Sequence, residues 1–79
     1  MATLVMLQKE SESDKEAVYR FGPVGDPSGR LRIDKATGAI VKVNDVPGDT
    51  DELHYSAASR LLSSHFRLRE FPAMSVFTL

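Results

Sequence analysis

Runs of alternating apolar and polar residues occupy the first half of the chain, and a longer helical period takes over in the second. Residues 2 to 8 are rich in Leu, Val, Met and Thr and stop at a polar run, which predicts a first strand buried on at least one side. Glu10-Ser11-Glu12-Ser13-Asp14-Lys15-Glu16 has no face to bury. It reads as a solvated hairpin loop, with an acidic patch for a basic partner as the functional alternative. From Ala17 to Phe21 the period-two pattern returns, with Val18 and Arg20 on one side and Tyr19 and Phe21 on the other. The aromatic side is expected to face the core.

Gly22-Pro23-Val24-Gly25 breaks this strand, and Asp26-Pro27-Ser28-Gly29 carries Asp, Pro and Gly where a type I turn wants them. A hairpin follows from Arg30 to Val43, turning at Asp34-Lys35-Ala36-Thr37-Gly38. Gly38 is expected in the left-handed conformation, at a place where a side chain would meet backbone. Leu31 and Ile33 should point inward. On the return strand the charge of Lys42 makes Val41 and Val43 the expected buried side, ahead of Ile40 and Lys42.

After a linker-like turn at Asn44-Asp45-Val46-Pro47-Gly48 the period lengthens. Leu53, Ala57, Leu61 and His65 form one row and Ala58, Leu62 and Phe66 the next, so a helix with one broad apolar face is predicted over about 50–69. Asp49 as N-cap with Glu52 three residues on would make a capping box. Ser56, Ser59, Arg60 and Ser63 take the outer side. Pro72 forces the helix to stop, because Phe71 before it is pushed out of the helical region, and Arg67 and Arg69 suit the negative helix end. Met74 to Leu79 alternates again and reads as a fifth strand or a docked tail. The resulting expectation is a single α+β domain, residues 1–79, with four to five antiparallel strands in sequential hairpins and one helix across one face.

A chain of 79 residues supports one small core and a stability of only a few kcal/mol. Its 42% hydrophobic and 27% charged residues argue against both disorder and membrane insertion. Cysteine is absent, which removes thiolate zinc sites, thiol nucleophiles and disulfides, and a reducing cytoplasm is the expected location. The apolar opening lacks a basic leader and a small-residue cleavage site, so it is expected to be a strand and not a targeting signal. No apolar run approaches the roughly 20 residues of a membrane helix. A net charge of −1 gives no global attraction to nucleic acid or anionic lipid.

Catalytic chemistry finds no motif. The glycines at 22, 25 and 29 lack a phosphate loop's lysine and hydroxyl and precede a strand. The acids at 49–52 lack EF-hand spacing. His54 and His65 stand about 16 Å apart along a helix and cannot share a metal. No serine occupies a strand-to-helix elbow, and the carboxylates fall in solvated loops or caps. The chain is therefore expected to be non-catalytic, with no cofactor and no metal.

Two binding surfaces are candidates. An exposed alternating terminus leaves pairing groups for another chain, which makes Phe71, Met74, Val76, Phe77 and Leu79 the candidate protein-binding residues. The structural alternative is that the tail pairs with the first strand; a homodimer through the same edge is a third reading. Arg60, Arg67 and Arg69 are the candidate nucleic-acid residues, provided that they meet Arg20, Arg30 and Arg32 in one stripe with Tyr55 or Phe71 for stacking. Eleven acids against ten bases, and no nucleic-acid motif, speak for a solvated face instead.

Gly29-Arg30-Leu31-Arg32-Ile33-Asp34 with Thr37-Gly38-Ala39-Ile40 resembles hairpins of several unrelated bacterial domains, PepSY modules among them, and turn chemistry alone can produce it. With Tyr19-Arg20-Phe21-Gly22-Pro23 and Arg69-Glu70-Phe71-Pro72 it resembles small uncharacterised bacterial single-domain proteins, some of them similar to immunity proteins that neutralise a toxin. The resemblance covers about half the chain, carries no functional residue across, and implies a protein partner of unspecified identity.

Overall fold

The computed structural model describes residues 4–48 and 53–78, and the expected cap at Asp49 and Glu52 lies outside them. Its elements are β1 (Leu4–Glu12), β2 (Glu16–Pro23), β3 (Gly29–Asp34), β4 (Ile40–Asn44), α1 (Leu53–Arg67) and β5 (Met74–Thr78). The strands form one antiparallel sheet in the order β4-β3-β2-β1-β5, an α+β architecture. Three hairpins build four strands in sequence. β5 then returns from the helix to pair with β1, Val5 opposite Phe77 and Met6 opposite Val76.

The alternation decides which face is buried. Val5 and Leu7 of β1, Ala17, Tyr19 and Phe21 of β2, and Leu31 and Ile33 of β3 are all fully buried on the side that α1 covers. From the helix, Ala57, Ala58 and Leu62 complete the core, and the two alanines let it lie close against β1 and β2. Each large side chain so buried contributes about 1.5–3 kcal/mol. Leu53, at the head of the predicted apolar row, is exposed.

Five readings of the sequence are corrected. The acidic run is not all loop: β1 continues to Glu12, and only Ser13, Asp14 and Lys15 turn. Charge pairing across strands supports this extension. Glu10 follows Leu4, Met6 and Gln8 onto the open face, where its carboxylate lies 2.6 Å from Arg30 Nε, and a bulge between Lys9 and Ser11 then shifts the alternation so that Glu12 stands opposite Ala17.

The turn after β2 falls on Pro23–Asp26, where Asp26 N–H donates to Pro23 O at 3.0 Å and Gly25 has φ 94°. A positive φ at the third residue is the type II requirement, so Gly25 outcompetes the Asp-Pro-Ser-Gly signal. Gly29 is instead a buried strand residue, and a Cβ there would stand 2.6 Å from Phe21 Cζ and 2.8 Å from Val46 Cγ2. Val46, assigned to a linker by its sequence, plugs that end of the core at 6% exposure.

On β4 the faces are reversed. Ile33 pairs with Ile40 and Leu31 with Lys42, so Ile40 packs on the core and Val41 and Val43 stand 49% exposed. Lys42 tolerates the inner side because its long stem carries the ammonium to Asp45 at 2.5 Å and over the Tyr55 ring.

The helix ends at Arg67, two residues early. Glu70 N–H donates to His65 O and Arg69 N–H to Phe66 O, both at 2.9 Å, a Schellman motif with Arg69 at φ 58° in the place glycine favours. Its guanidinium lies 5.4 Å from the centre of the Phe66 ring. Left-handed backbone costs about 1–2 kcal/mol and the ring contact returns about 0.5–1. Arg69→Gly should therefore raise stability by about 0.5–1 kcal/mol, while Arg69→Ala, which keeps the strain and loses the contact, should lower it. Paired urea titrations check both signs.

Candidate interaction surface

Opposite α1 the sheet presents a second face. Along its middle runs a charged band: Glu10 binds Arg30 and lies 3.7 Å from Arg20, and Arg32 pairs with Glu16 at 3.3 Å. Val41 and Val43 flank it on the β4 side. On the other flank β1 and β5 place Leu4, Met74 and Val76 at 44%, 59% and 50% exposure, with half-buried Met6 between them. Isolated exposed apolar residues are ordinary, but these four share adjacent strands and one face. They form a strip along the sheet border.

That border is itself unpaired. β5 is an edge strand, and its described residues carry no charge and no proline, the usual devices that keep an edge from pairing. β4, the opposite edge, has Lys42 within it and Asp45 beside it.

The five candidate protein-binding residues thus divide. Met74 and Val76 stand on the open face; Phe77 turns toward α1 and packs on the core; Phe71 meets Phe66 edge-on, with ring centres 6.4 Å apart; Leu79 lies outside the described residues. Leu4 and Met6 join the strip through a register, Leu4 with Thr78 and Met6 with Val76, that no local pattern announces.

The arginines do not make one stripe. Arg20, Arg30 and Arg32 lie on the open face, while Arg60 and Arg67 stand on α1, beyond the core, beside Ser59, Ser63 and Ser64. Arg69 is spent on Phe66, and Tyr55 packs 5.7 Å from the Phe21 ring. The sheet separates the two groups, and the acids of the band neutralise one of them.

Two polar clusters were not legible in advance. Ser75 Oγ lies 3.1 Å from His65 Nε2, and Glu70 Oε2 lies 3.5 Å from Nδ1, the order of a serine triad. Nucleophilic catalysis also needs donors for an oxyanion and a shaped pocket. Ser75 sits in a regular strand with its own peptide groups turned to β1, so the cluster ties the helix end to the edge strand. The clue is a connection of only six residues between α1 and β5, which brings the strand back past the last helical turn.

In the second cluster Glu12 lies between Lys35 and Lys9, the latter at 2.6 Å. Lys35 first and Lys9 second hold its carboxyl at about 2, below the ordinary 4.5. A depressed folded pKa contributes stability that is present above the unfolded value and lost as pH falls through the folded one. Stability should accordingly drop between about pH 5 and pH 2, and Glu12→Gln should flatten that part of a stability–pH profile. Nearby, the Tyr19 hydroxyl donates to Pro72 O at 2.8 Å, and burial, then Glu12, pushes it up to about 12. The tyrosine holds the α1–β5 connection onto the sheet.

Among the described residues no group of His, Asp and Glu is placed to hold a metal ion, and no helix is long and apolar enough to cross a membrane. Comparison with known proteins returned no match to a family model, a curated protein or a solved structure.

Proposed function

We propose that this chain is a non-catalytic protein-interaction module that engages a partner chain through the β5 edge and the adjoining open-face strip. The observation that carries the reading is an edge strand without charge or proline, bordered on the same face by exposed Leu4, Met74 and Val76. Main-chain pairing supplies affinity in such a mode, and alternate side chains supply selectivity. An inhibitory or immunity role belongs to the same proposal, since a small domain that occupies a strand site of its target blocks it stoichiometrically. Nucleic acid is the weaker reading because the arginines fall on two sides of the molecule.

The test is affinity capture from native lysate with and without nuclease treatment, comparing wild type with Met74→Lys/Val76→Lys. Both residues are exposed, so the variant should fold and melt like wild type. A stoichiometric protein retained by wild type and lost by the variant supports the reading. A partner held equally by both overturns it, as does recovery of nucleic acid alone that is lost in Arg60→Glu/Arg67→Glu.

A further inference from the structure

We propose that the chain taken up by β5 is β5 of a second copy, paired antiparallel about a two-fold axis at Val76. The inference rests on the β5 edge being the interaction surface and names its occupant. Lys9 N–H donates to Ala73 O at 2.8 Å, and Gln8 stands opposite Met74. In an antiparallel ladder hydrogen-bonded pairs alternate with non-bonded ones, so Ser75 and Phe77 also turn their peptide groups to β1. Met74, Val76 and Thr78 turn theirs outward.

These three outward residues are symmetric about Val76. A second β5 centred there sets Val76 opposite Val76 and Met74 opposite Thr78. Three outward N–H groups from each copy then make six hydrogen bonds, and no outward group of the described strand is left over. Slipping by one residue opposes outward groups to inward ones. Slipping by two toward the N-terminus brings Thr78 against Pro72, which has no N–H to give. Centred on Val76, the strand pairs every outward group of its described residues with its copy.

Side chains and charge agree with that register. Met74, Val76 and Thr78 of the two copies meet on the open face, and each copy's Met6 and Leu4 lie directly behind them, so two strips fuse into one. No like charges meet at the axis, because described β5 carries none. β4, with Lys42 in the strand, is the edge that stays single. With five residues of β5 a side, the contact is a short one, of the kind that forms weak, concentration-dependent dimers. The dimer should therefore show a mass that depends on concentration.

Sedimentation equilibrium from micromolar to millimolar concentration should show the mass rising from 8.7 kDa toward twice that value. Val76→Lys sets like charges across the axis and should hold the mass at monomer with an unchanged circular dichroism spectrum. Val76→Cys places a cysteine about 5.5 Å from its symmetry mate, in a chain with none of its own, and mild oxidation should give a covalent dimer. Monomer mass throughout, with no Val76→Cys cross-link, overturns the second copy as occupant. The broader edge reading would then stand or fall on the capture experiment. A dimer that survives Val76→Lys and gives no Val76→Cys cross-link puts the contact elsewhere and overturns the proposal equally.

Discussion

Replacing Phe21 by alanine should cost about 3–5 kcal/mol, the range for removing a buried aromatic from a packed core, and leave much of the protein unfolded at room temperature. Phe21 is fully buried, faces Tyr55 with ring centres 5.7 Å apart, and lies across its strand partner Gly29. Val46 closes the same space, with its Cγ2 2.8 Å from where a Gly29 Cβ would be. The ring therefore fills a slot that the missing side chain of Gly29 creates, and its loss leaves a cavity bounded by three elements. A domain of this size has only a few kcal/mol to lose. Phe21→Leu, which keeps most of the volume, should cost far less. Urea unfolding followed by circular dichroism measures both, and an alanine variant that loses under about 1 kcal/mol would show that this end of the core is loosely packed.

The Phe21–Gly29 pair also shows where local reasoning reaches its limit. Tyr19, Phe21, Leu31 and Ile33 could be assigned to the core from alternation alone, since a period of two fixes which side chains share a face. Gly29 could not, because its role is set by a residue on another strand. The same holds for Glu10 and Glu12, which resemble loop residues until Arg30, 20 positions away, and Lys35, 23 away, arrive as partners. Lys42 misled for a different reason. A rule that charges face outward ignores a stem long enough to cross a buried rim. In the helix, the period predicted Ala57, Ala58 and Leu62, but its end depended on Arg69 accepting a left-handed backbone, which residue preference argues against.

The candidate surface was half legible. An alternating apolar terminus pointed to β5, and Met74 and Val76 are the residues it exposes. Which strand β5 would pair with, and so which way Phe77 and Ser75 would face, is a matter of register between the two ends of the chain. No window of local sequence contains it. Leu4 and Met6 enter the strip only through that register.

Substituting Gly38 by alanine tests whether the far end of the molecule is held as tightly as the Phe21 end. Gly38 has φ 80°, and a Cβ there would lie 2.7 Å from Phe66 Cε2, a helix side chain rather than the backbone that turn geometry alone suggested. Left-handed strain contributes about 1–2 kcal/mol and displacement of the ring about 1–3 more. A loss of about 2–5 kcal/mol is expected. Gly48 provides the comparison, since its φ of 81° is the same within a degree but nothing lies within 4 Å of its would-be Cβ. Gly48→Ala should show the backbone part alone. The steric part should shrink when Phe66→Leu makes room, so the double variant Gly38→Ala/Phe66→Leu should be more stable than the sum of the singles predicts. Strict additivity would mean that the ring does not rest on the turn. The contact matters beyond stability because Phe66 neighbours His65, whose imidazole reaches Ser75 of β5. The β3–β4 turn thus helps to fix the helix end that positions the edge strand.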